Sequence, residues 1–135
     1  MTVRIQGSTA DAPPQAGPYS QSVRIGDIVT AAGQAGFTPD GELMEGVGAQ
    51  TEQALKNIAA TLAAVGATMD EVAHVRVYLT DPDQFTDMNS VYETFFEAPY
   101  PARTTVYVGL PAGLLVEIDA LAVSPRSARA QDAPS

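Results

Sequence analysis

The chain of 135 residues has the length of one domain, and its composition is that of an ordinary globular protein. With 16 acidic and 7 basic residues its net charge is −9, which disfavours binding to nucleic acid or anionic membranes, since both require a positive surface. The absence of cysteine excludes disulfides, thiol nucleophiles and cysteine-ligated metals. A single histidine, His74, and a single lysine, Lys56, argue against zinc sites, Ser-His-Asp triads and a pyridoxal Schiff base.

The two ends of the chain lack the patterns of its middle. Residues 1–15 show no charged segment followed by an apolar run, and no apolar stretch approaches the length of about 18 residues that spans a membrane. We therefore expect a cytoplasmic protein. Residues 124–135 are rich in Ala, Ser, Pro and Arg without apolar periodicity, which predicts a disordered tail after a single domain of residues 1–123.

The first half of the chain predicts two strands and a long helix. Residues 19–25 and 28–33 have strand patterns, and the Gly-Asp pair between them is typical of a two-residue hairpin turn. Apolar residues at helical spacing then predict a helix over about 48–65, which Gly66 ends.

A strand and a second helix follow. Residues 72–79 alternate between apolar and polar side chains, as in a strand with one buried face. Asp81 is a suitable N-cap, and Pro82 suits the first helical position of a helix that ends near Glu97, before two prolines.

Two final strands, over 102–108 and 115–123, complete the order ββαβαββ. Mixed strands and helices in this order predict an α+β fold, with one sheet and two helices on one of its faces. The other face of the sheet is then either solvated or covered by a partner chain.

Polar residues on the last two strands suggest a site. If these strands form a hairpin that is symmetric about its loop, Thr105 lies opposite Glu117, and Arg103 lies opposite Asp119. These four residues then lie on the face away from the helices. Thr104 and its alternating neighbours face the core. One interpretation is a solvated face with cross-strand ion pairs. The other is an anion site, in which arginine binds a carboxylate and a nearby acid activates water.

Several short segments carry a resemblance to a known family. They are Gly17-Pro18-Tyr19-Ser20-Gln21, Ala32-Gly33-Gln34, the run NSVYETFF at 89–96, the run PARTTV at 101–106 and the run VEIDA at 116–120. With these segments the sequence resembles the RidA family, also called YjgF/YER057c/UK114, over about residues 10–123. The Pro-Ala-Arg strand followed by the Glu strand is the most specific part of the match.

The resemblance implies a chorismate-mutase-like α+β fold and a homotrimer, whose three sheets form a central barrel with sites between subunits. Family members hydrolyse reactive 2-iminoacids and their enamine tautomers, which pyridoxal-dependent dehydratases release, to 2-oxoacids and ammonia. The implied activity is that of a 2-iminobutanoate/2-iminopropanoate deaminase without cofactor or metal. Carried over by position, Arg103 would clamp the substrate carboxylate and Glu117 would hold and polarise the attacking water. The other implied substrate-binding residues are Tyr19, Gly33, Asn89 and Thr105.

The sequence departs from the family pattern at a few positions. Ala32 stands where close relatives often have serine, and Thr105 stands where many have cysteine. Residues 109–115 are apolar and one residue shorter than in the best-known members. These departures leave the substrate preference open, while the presence of Arg103 and Glu117 favours a competent deaminase.

Three other functions remain alternatives. A non-catalytic binder of small carboxylates such as 2-oxoacids would use Arg103 but would not need Glu117. An endoribonuclease or translation-inhibitor activity, a label that some members carry, is disfavoured by the negative charge and the lack of a basic stripe. A catabolic deaminase for an unusual imine is suggested only by the departures around position 105.

Overall fold

One mixed sheet of six strands, in the spatial order β1-β2-β3-β6-β4-β5, forms the centre of the computed structural model, which describes residues 3–125. Two helices cover one face of this sheet, and we call the opposite face the open face. The strands are β1 Ile5–Gly7, β2 Ser22–Ile25, β3 Ile28–Ala35, β4 Val72–Leu79, β5 Ala102–Tyr107 and β6 Val116–Val123. The helices are α1 Val47–Ala63 and α2 Phe85–Tyr92, and short 3-10 turns lie at Met69–Glu71, Pro82–Gln84 and Glu93–Phe95.

The helices form where the apolar spacing predicts them. The apolar stripe of α1, with Leu55, Ile58 and Leu62 fully buried, packs on β3 and β6, and Gly66 follows the helix with a φ of 83°. The carboxylate of Asp81 accepts a hydrogen bond from the backbone N–H of Asp83 at 2.8 Å, as predicted for a cap. The predicted second helix is shorter than expected, because its ends are 3-10 turns.

The structure contains a strand that the sequence analysis missed. β1 pairs in antiparallel fashion with β2, with Ile5 opposite Arg24. A strand of three residues is too short to show alternation, so the hydrophobic pattern carries no signal for it. The order of elements is therefore βββαβαββ, and the predicted order ββαβαββ of the other elements is confirmed.

The predicted hairpin between the last two strands is wrong. β5 pairs in parallel with β4, and β6 enters between β3 and β4 and is antiparallel to both. Since α2 crosses over between β4 and β5, these three elements form a βαβ unit, and such a crossover makes its strands parallel. The alternating apolar residues of β6 fit a central strand, which has neighbours on both edges.

The strand register separates the predicted site residues onto two faces. Arg103 and Thr105 of β5 lie beside the buried Val75 and Val77 of β4, and therefore on the helix face. Glu117 and Asp119 of β6 lie beside Tyr78 and Arg76 of β4, and therefore on the open face. The prediction that all four share the open face is therefore wrong. The predicted inward direction of Thr104 and Val106 is wrong for the same reason, since both are exposed.

Apolar side chains occupy one end of the open face. Ile25 lies opposite Ile28, which lies opposite Val123, and Leu121 is two residues before Val123 on the same strand. These side chains are between 37% and 45% exposed. Large apolar groups in adjacent strands, with part of their surface in solvent, are typical of a sheet face that another molecule covers.

The folded domain extends to the first residue of the predicted tail. Ser124 is buried, and its hydroxyl and carbonyl oxygens accept hydrogen bonds from the buried guanidinium of Arg24, both at 2.9 Å. Residues 126–135 of the predicted tail lie outside the described residues. Between residues 3 and 125, no helix has the length and apolar character needed to cross a membrane.

Candidate functional site

Arg103 is held on the helix face by three side chains of α2. Its guanidinium carbon lies 4.6 Å from the ring centroid of Tyr92 and 5.5 Å from that of Phe85, and Nη1 donates a hydrogen bond of 2.7 Å to Asn89 Oδ1. Positions 85, 89 and 92 follow helical spacing, so α2 presents all three to β5 on one side. Cation–π contacts and one short hydrogen bond fix the guanidinium in one place.

The charge of Arg103 has no acidic partner within the described part of the chain. The ion pairs found there are Glu52–Lys56 and Arg76–Asp119, and the only side-chain acceptor of Arg103 is a neutral amide. A cavity of about 380 Å³ lies against Arg103 and is lined by Asn89, Tyr92, Glu93, Tyr100, Pro101 and Arg103. Because a guanidinium carries five N–H donors, most of them remain available to an anionic ligand in this cavity.

The buried hydroxyl of Tyr92 is another group without a partner at this cavity. Tyr92 is only 4% exposed, and no atom of residues 3–125 forms a hydrogen bond with its hydroxyl. Burial raises the pKa of Tyr92, so the hydroxyl stays protonated and can donate. A buried donor of this kind is usually satisfied by a ligand or by water.

Glu117 lies on the open face, against the bulge of β3. The pairing of β3 with β6 shifts between Ala31 and Gln34, and Gly33 lies within the shift. A Cβ atom at Gly33 would lie 2.7 Å from Glu117 Oε2 and 3.0 Å from its Cδ. Gly33 is therefore needed here to leave room for the carboxyl group.

The pKa of Glu117 is raised above its ordinary value. The larger cause is burial, which removes water from the carboxylate, and the smaller is repulsion from Asp119, its neighbour on the same face. A carboxyl group whose pKa lies closer to neutrality is better suited to exchange protons with a substrate or with water.

A second cavity, also of about 380 Å³, contains Glu117. Tyr19 and Gly33 lie on its walls, and the rest of the lining is mainly apolar, with Phe37, Pro111 and Leu114 as its larger members. The side-chain oxygen of Tyr19 accepts a hydrogen bond of 3.0 Å from the backbone N–H of Ala16, which holds the ring on its own loop. The GPYSQ segment therefore positions Tyr19 at the mouth of this cavity.

The structure thus places the predicted site residues in two groups. Arg103 and Asn89 line one cavity, and Tyr19, Gly33 and Glu117 line the other, on the opposite side of the sheet. Thr105 is half-buried beside Val77 and lines neither cavity. One chain alone does not bring the two groups together.

Three further residues near the predicted site have partners that the sequence pattern does not show. Asp119, expected opposite Arg103, instead accepts hydrogen bonds from Arg76 at 2.8 Å and from the hydroxyl of Tyr78 at 2.9 Å. Phe85 and Tyr92, whose spacing along α2 is also typical of a core stripe, hold Arg103. Their spacing relative to Asn89 is the signal that could have placed them at the site.

Metal ligands are not clustered in the described region. No group of three or more His, Asp or Glu side chains between residues 3 and 125 is placed to hold a metal ion. The polar groups that line the two cavities include a guanidinium, carboxyl groups and hydroxyl groups.

Comparison with known proteins identifies the family. The family model described as endoribonuclease L-PSP matches residues 9–124. A mouse protein named 2-iminobutanoate/2-iminopropanoate deaminase is 40% identical over 119 residues, which are 86% of this chain and 88% of the mouse protein. The crystal structure of RidA from the Antarctic bacterium Psychrobacter sp. PAMC 21119 has a TM-score of 0.85 and 40% identity, covering 88% of this chain and 98% of that one. Escherichia coli TdcF, solved with bound serine, has a TM-score of 0.84 and 35% identity, with the same coverage. The chain belongs to the RidA family.

The names of these relatives refer to different chemistry. One describes cleavage of RNA, another describes hydrolysis of small imines, and a third protein holds an amino acid. The choice between them for this chain therefore rests on what its own cavities can bind.

Proposed function

We propose that this protein is a 2-iminobutanoate/2-iminopropanoate deaminase, a hydrolase that converts small 2-iminoacids and their enamine tautomers to 2-oxoacids and ammonia. The observation that carries the proposal is Arg103, a fixed guanidinium that has no acidic partner among the described residues and lies against a cavity. A planar fork of N–H donors is the group that best binds a carboxylate with both oxygens. The name of the mouse relative supports the same substrate class.

We further propose that the active site forms between copies of the chain in a homotrimer. The anion-binding half, with Arg103, and the carboxyl half, with Glu117, lie on opposite faces of one sheet. Contact between the helix side of one copy and the open face of the next brings the two halves together. The partly exposed apolar side chains of the open face, such as Ile28 and Val123, support burial of this face against another copy.

The proposed mechanism requires no covalent nucleophile. Arg103 of one copy binds the substrate carboxylate, and Glu117 of the next orients a water molecule and accepts its proton as the oxygen attacks the imine carbon. Glu117 returns this proton to the nitrogen, which gives a tetrahedral carbinolamine. It then transfers the proton of the new hydroxyl group to the same nitrogen as the carbon–nitrogen bond breaks, so that ammonia and the 2-oxoacid leave. The raised pKa of Glu117 suits a group that first takes and then returns a proton.

An activity on RNA has less support from the charges of the chain. Of the cationic side chains within residues 3–125, Arg24 is buried, and Lys56 and Arg76 are paired with acids. Arg4 and Arg103 remain, which is too few for a basic surface that follows a phosphate backbone.

The proposal is tested by the hydrolysis of freshly generated 2-iminobutanoate and 2-iminopropanoate, measured by competition with a trapping nucleophile. The variants are Arg103→Ala and Glu117→Gln, with Arg4→Ala and Glu52→Gln as controls, because both control residues are exposed and line neither cavity. We expect the wild type and both controls to accelerate imine decay and both site variants to lose most of the acceleration. A folded wild type that accelerates neither reaction would leave a carboxylate binder as the better description.

The location of the site between copies has its own test. Chains with Arg103→Ala and chains with Glu117→Gln are coexpressed, so that both enter the same oligomers. In a ring, each site takes Arg103 from one copy and Glu117 from the adjacent copy. With random mixing, each of these two copies carries the native residue at its position in about half of the cases, so about a quarter of the sites are intact. We expect about a quarter of the wild-type rate from the mixture, although each variant alone is nearly inactive. No recovery in mixed oligomers would contradict a shared site.

A further inference from the structure

The cavity that contains Glu117 has a volume of about 380 Å³ and a mainly apolar lining. Its lining includes Pro14, Phe37, Pro111 and Leu114, and no lysine or arginine among residues 3–125 lines it. Phe37 and Leu114 are half-buried, so part of their apolar surface is available to a ligand. The loop of residues 109–115, which supplies two of these walls, carries no charged residue at all.

Two buried glutamines hold the walls of this cavity in place. Gln21, 2% exposed, accepts a hydrogen bond from the backbone N–H of Thr9 at 2.8 Å and donates to the carbonyl oxygens of Thr9 and Pro13 at 3.1 and 2.7 Å. These bonds tie the first loop, which contains Pro14 and Tyr19, to the start of β2.

Gln50 acts in the same way on the second loop. It is also 2% exposed, donates to the carbonyl oxygens of Met44 and Gly113 at 3.0 Å, and accepts from the backbone N–H of Leu115 at 2.9 Å. Pro111 and Leu114 are thereby held against the start of α1. Because buried glutamines hold both loops by hydrogen bonds, the cavity is already formed before a ligand binds. Binding therefore costs little loop entropy.

We propose that this cavity is the side-chain pocket of the site and selects 2-iminoacids with branched or longer aliphatic side chains over 2-iminopropanoate, with Leu114 as the specificity-determining residue. The inference rests on the proposed function, because it takes the imine carbon to lie near Glu117 and the carboxylate to be held by Arg103 of the adjacent copy. With those two groups placed, the side chain on the imine carbon extends along the apolar walls. Substrates with acidic side chains are disfavoured, because Glu117 repels them and no cation of the described residues lines the cavity.

The expected preference follows from the burial of apolar groups. Each additional methylene that leaves water for an apolar pocket improves kcat/KM by about fourfold. The imine derived from leucine has three more carbons than the imine derived from alanine. Incomplete burial reduces the gain, and we expect a preference of about tenfold or more for the leucine-derived substrate.

The hydrolysis test compares imines generated in situ from alanine and from leucine. The variant is Leu114→Gln, which keeps the length of the side chain and makes it polar, and the control is Leu110→Gln, a half-buried leucine of the same loop that does not line the cavity. We expect Leu114→Gln to bring the two values of kcat/KM within about threefold of each other by lowering that of the leucine-derived imine, and we expect Leu110→Gln to keep the wild-type ratio. An unchanged ratio in a folded Leu114→Gln protein, or a wild type that prefers the alanine-derived imine, would overturn the inference.

A second variant, Leu114→Ala, tests the same pocket in case Leu114→Gln does not fold. Leu114→Ala enlarges the pocket without adding a polar group, so we expect it to gain activity on the bulkier phenylalanine-derived imine relative to the alanine-derived one. A folded Leu114→Ala protein that shows no such gain would also contradict the pocket assignment.

Calorimetric binding of 2-oxoacids separates this inference from the proposed function. We expect 4-methyl-2-oxopentanoate to bind at least about tenfold more tightly than pyruvate, because it buries three more carbons. We expect Leu114→Gln to remove this difference in affinity. A protein that shows this binding pattern but hydrolyses no imine would refute the deaminase and keep the pocket. Hydrolysis of both imines together with equal binding of both 2-oxoacids would keep the deaminase and refute the pocket.

Discussion

Replacement of Gly33 by alanine is the smallest change that reaches the proposed reaction centre. The added Cβ atom would lie 2.7 Å from Glu117 Oε2, where ordinary van der Waals contact begins at 3.4 Å. The carboxyl group is the far end of a flexible side chain, so it moves aside rather than unfolding the strand. It must retreat by about 0.7 Å or rotate away from the bulge.

The same substitution has little effect on folding. Gly33 is exposed, and its φ lies outside the left-handed region, so alanine fits its backbone without strain. A glycine-to-alanine change at such a position stabilises a protein by about 0.4–1 kcal/mol, because it reduces the freedom of the unfolded chain. Activity responds differently, since a displacement of about 1 Å in a reacting group costs about a hundredfold in rate. We therefore expect kcat/KM to fall by about ten- to a hundredfold in a protein that is as stable as the wild type or more stable.

The assay measures imine hydrolysis and thermal unfolding for Gly33→Ala beside a matched control, Gly109→Ala. A Cβ atom at Gly109 meets no atom within 4 Å, and its φ also lies outside the left-handed region. We expect the control to retain the wild-type rate. Full activity in Gly33→Ala would refute the role that we give to the Glu117 carboxyl position, and a large loss of stability would refute our explanation of the glycine.

Three further outcomes follow from individual charges and hydrogen bonds of the chain. Because the folded state raises the pKa of Glu117, the native protein binds more protons than the unfolded chain. Its stability therefore falls as the pH rises from about 4.5, the ordinary pKa of the group, through the raised pKa. When Tm is measured against pH, the Tm of Glu117→Gln should rise relative to that of the wild type across this window. Asn89→Asp should raise KM by tenfold or more without lowering Tm, because a carboxylate 2.7 Å from Arg103 competes with the substrate anion. Arg24→Met should cost about 3 kcal/mol in denaturant unfolding, because it leaves the oxygens of Val65 and Ser124 without their buried donor.

Local patterns predicted much of the fold. The bounds of β4 were predicted at both ends, since Val75, Val77 and Leu79 alternate with polar residues on a strand that has one buried face. The helix α1 was predicted within two residues at each end, because its apolar spacing and its terminal glycine both indicate where it lies. β1 was missed, because its three residues acquire their structure by pairing with β2 rather than from their own pattern.

Most of the predicted site residues line one of the two cavities, but the arrangement predicted for them is wrong. Adjacent strands joined by a short loop usually form a hairpin, and this expectation placed Arg103 beside Asp119. In the fold, β4 separates them, Arg76 occupies the place beside Asp119, and Arg103 turns to the helix face. The order of strands in a sheet depends on contacts across the whole chain, which local alternation does not contain.

The separation of the two half-sites gives a physical reason for assembly. On opposite faces of one sheet lie a guanidinium that has no acidic partner among residues 3–125 and a carboxyl group with a raised pKa, and each leaves binding capacity unused. If the copies meet as proposed, Arg103 and Glu117 face one ligand from two sides, and neither face serves as a complete site in the monomer. Loss of assembly should then abolish activity even when every residue of the site is intact. A substitution on the open face, such as Ile28→Lys, should therefore reduce the oligomer and the rate of imine hydrolysis in parallel, and an active monomer would show that one chain completes the site by itself.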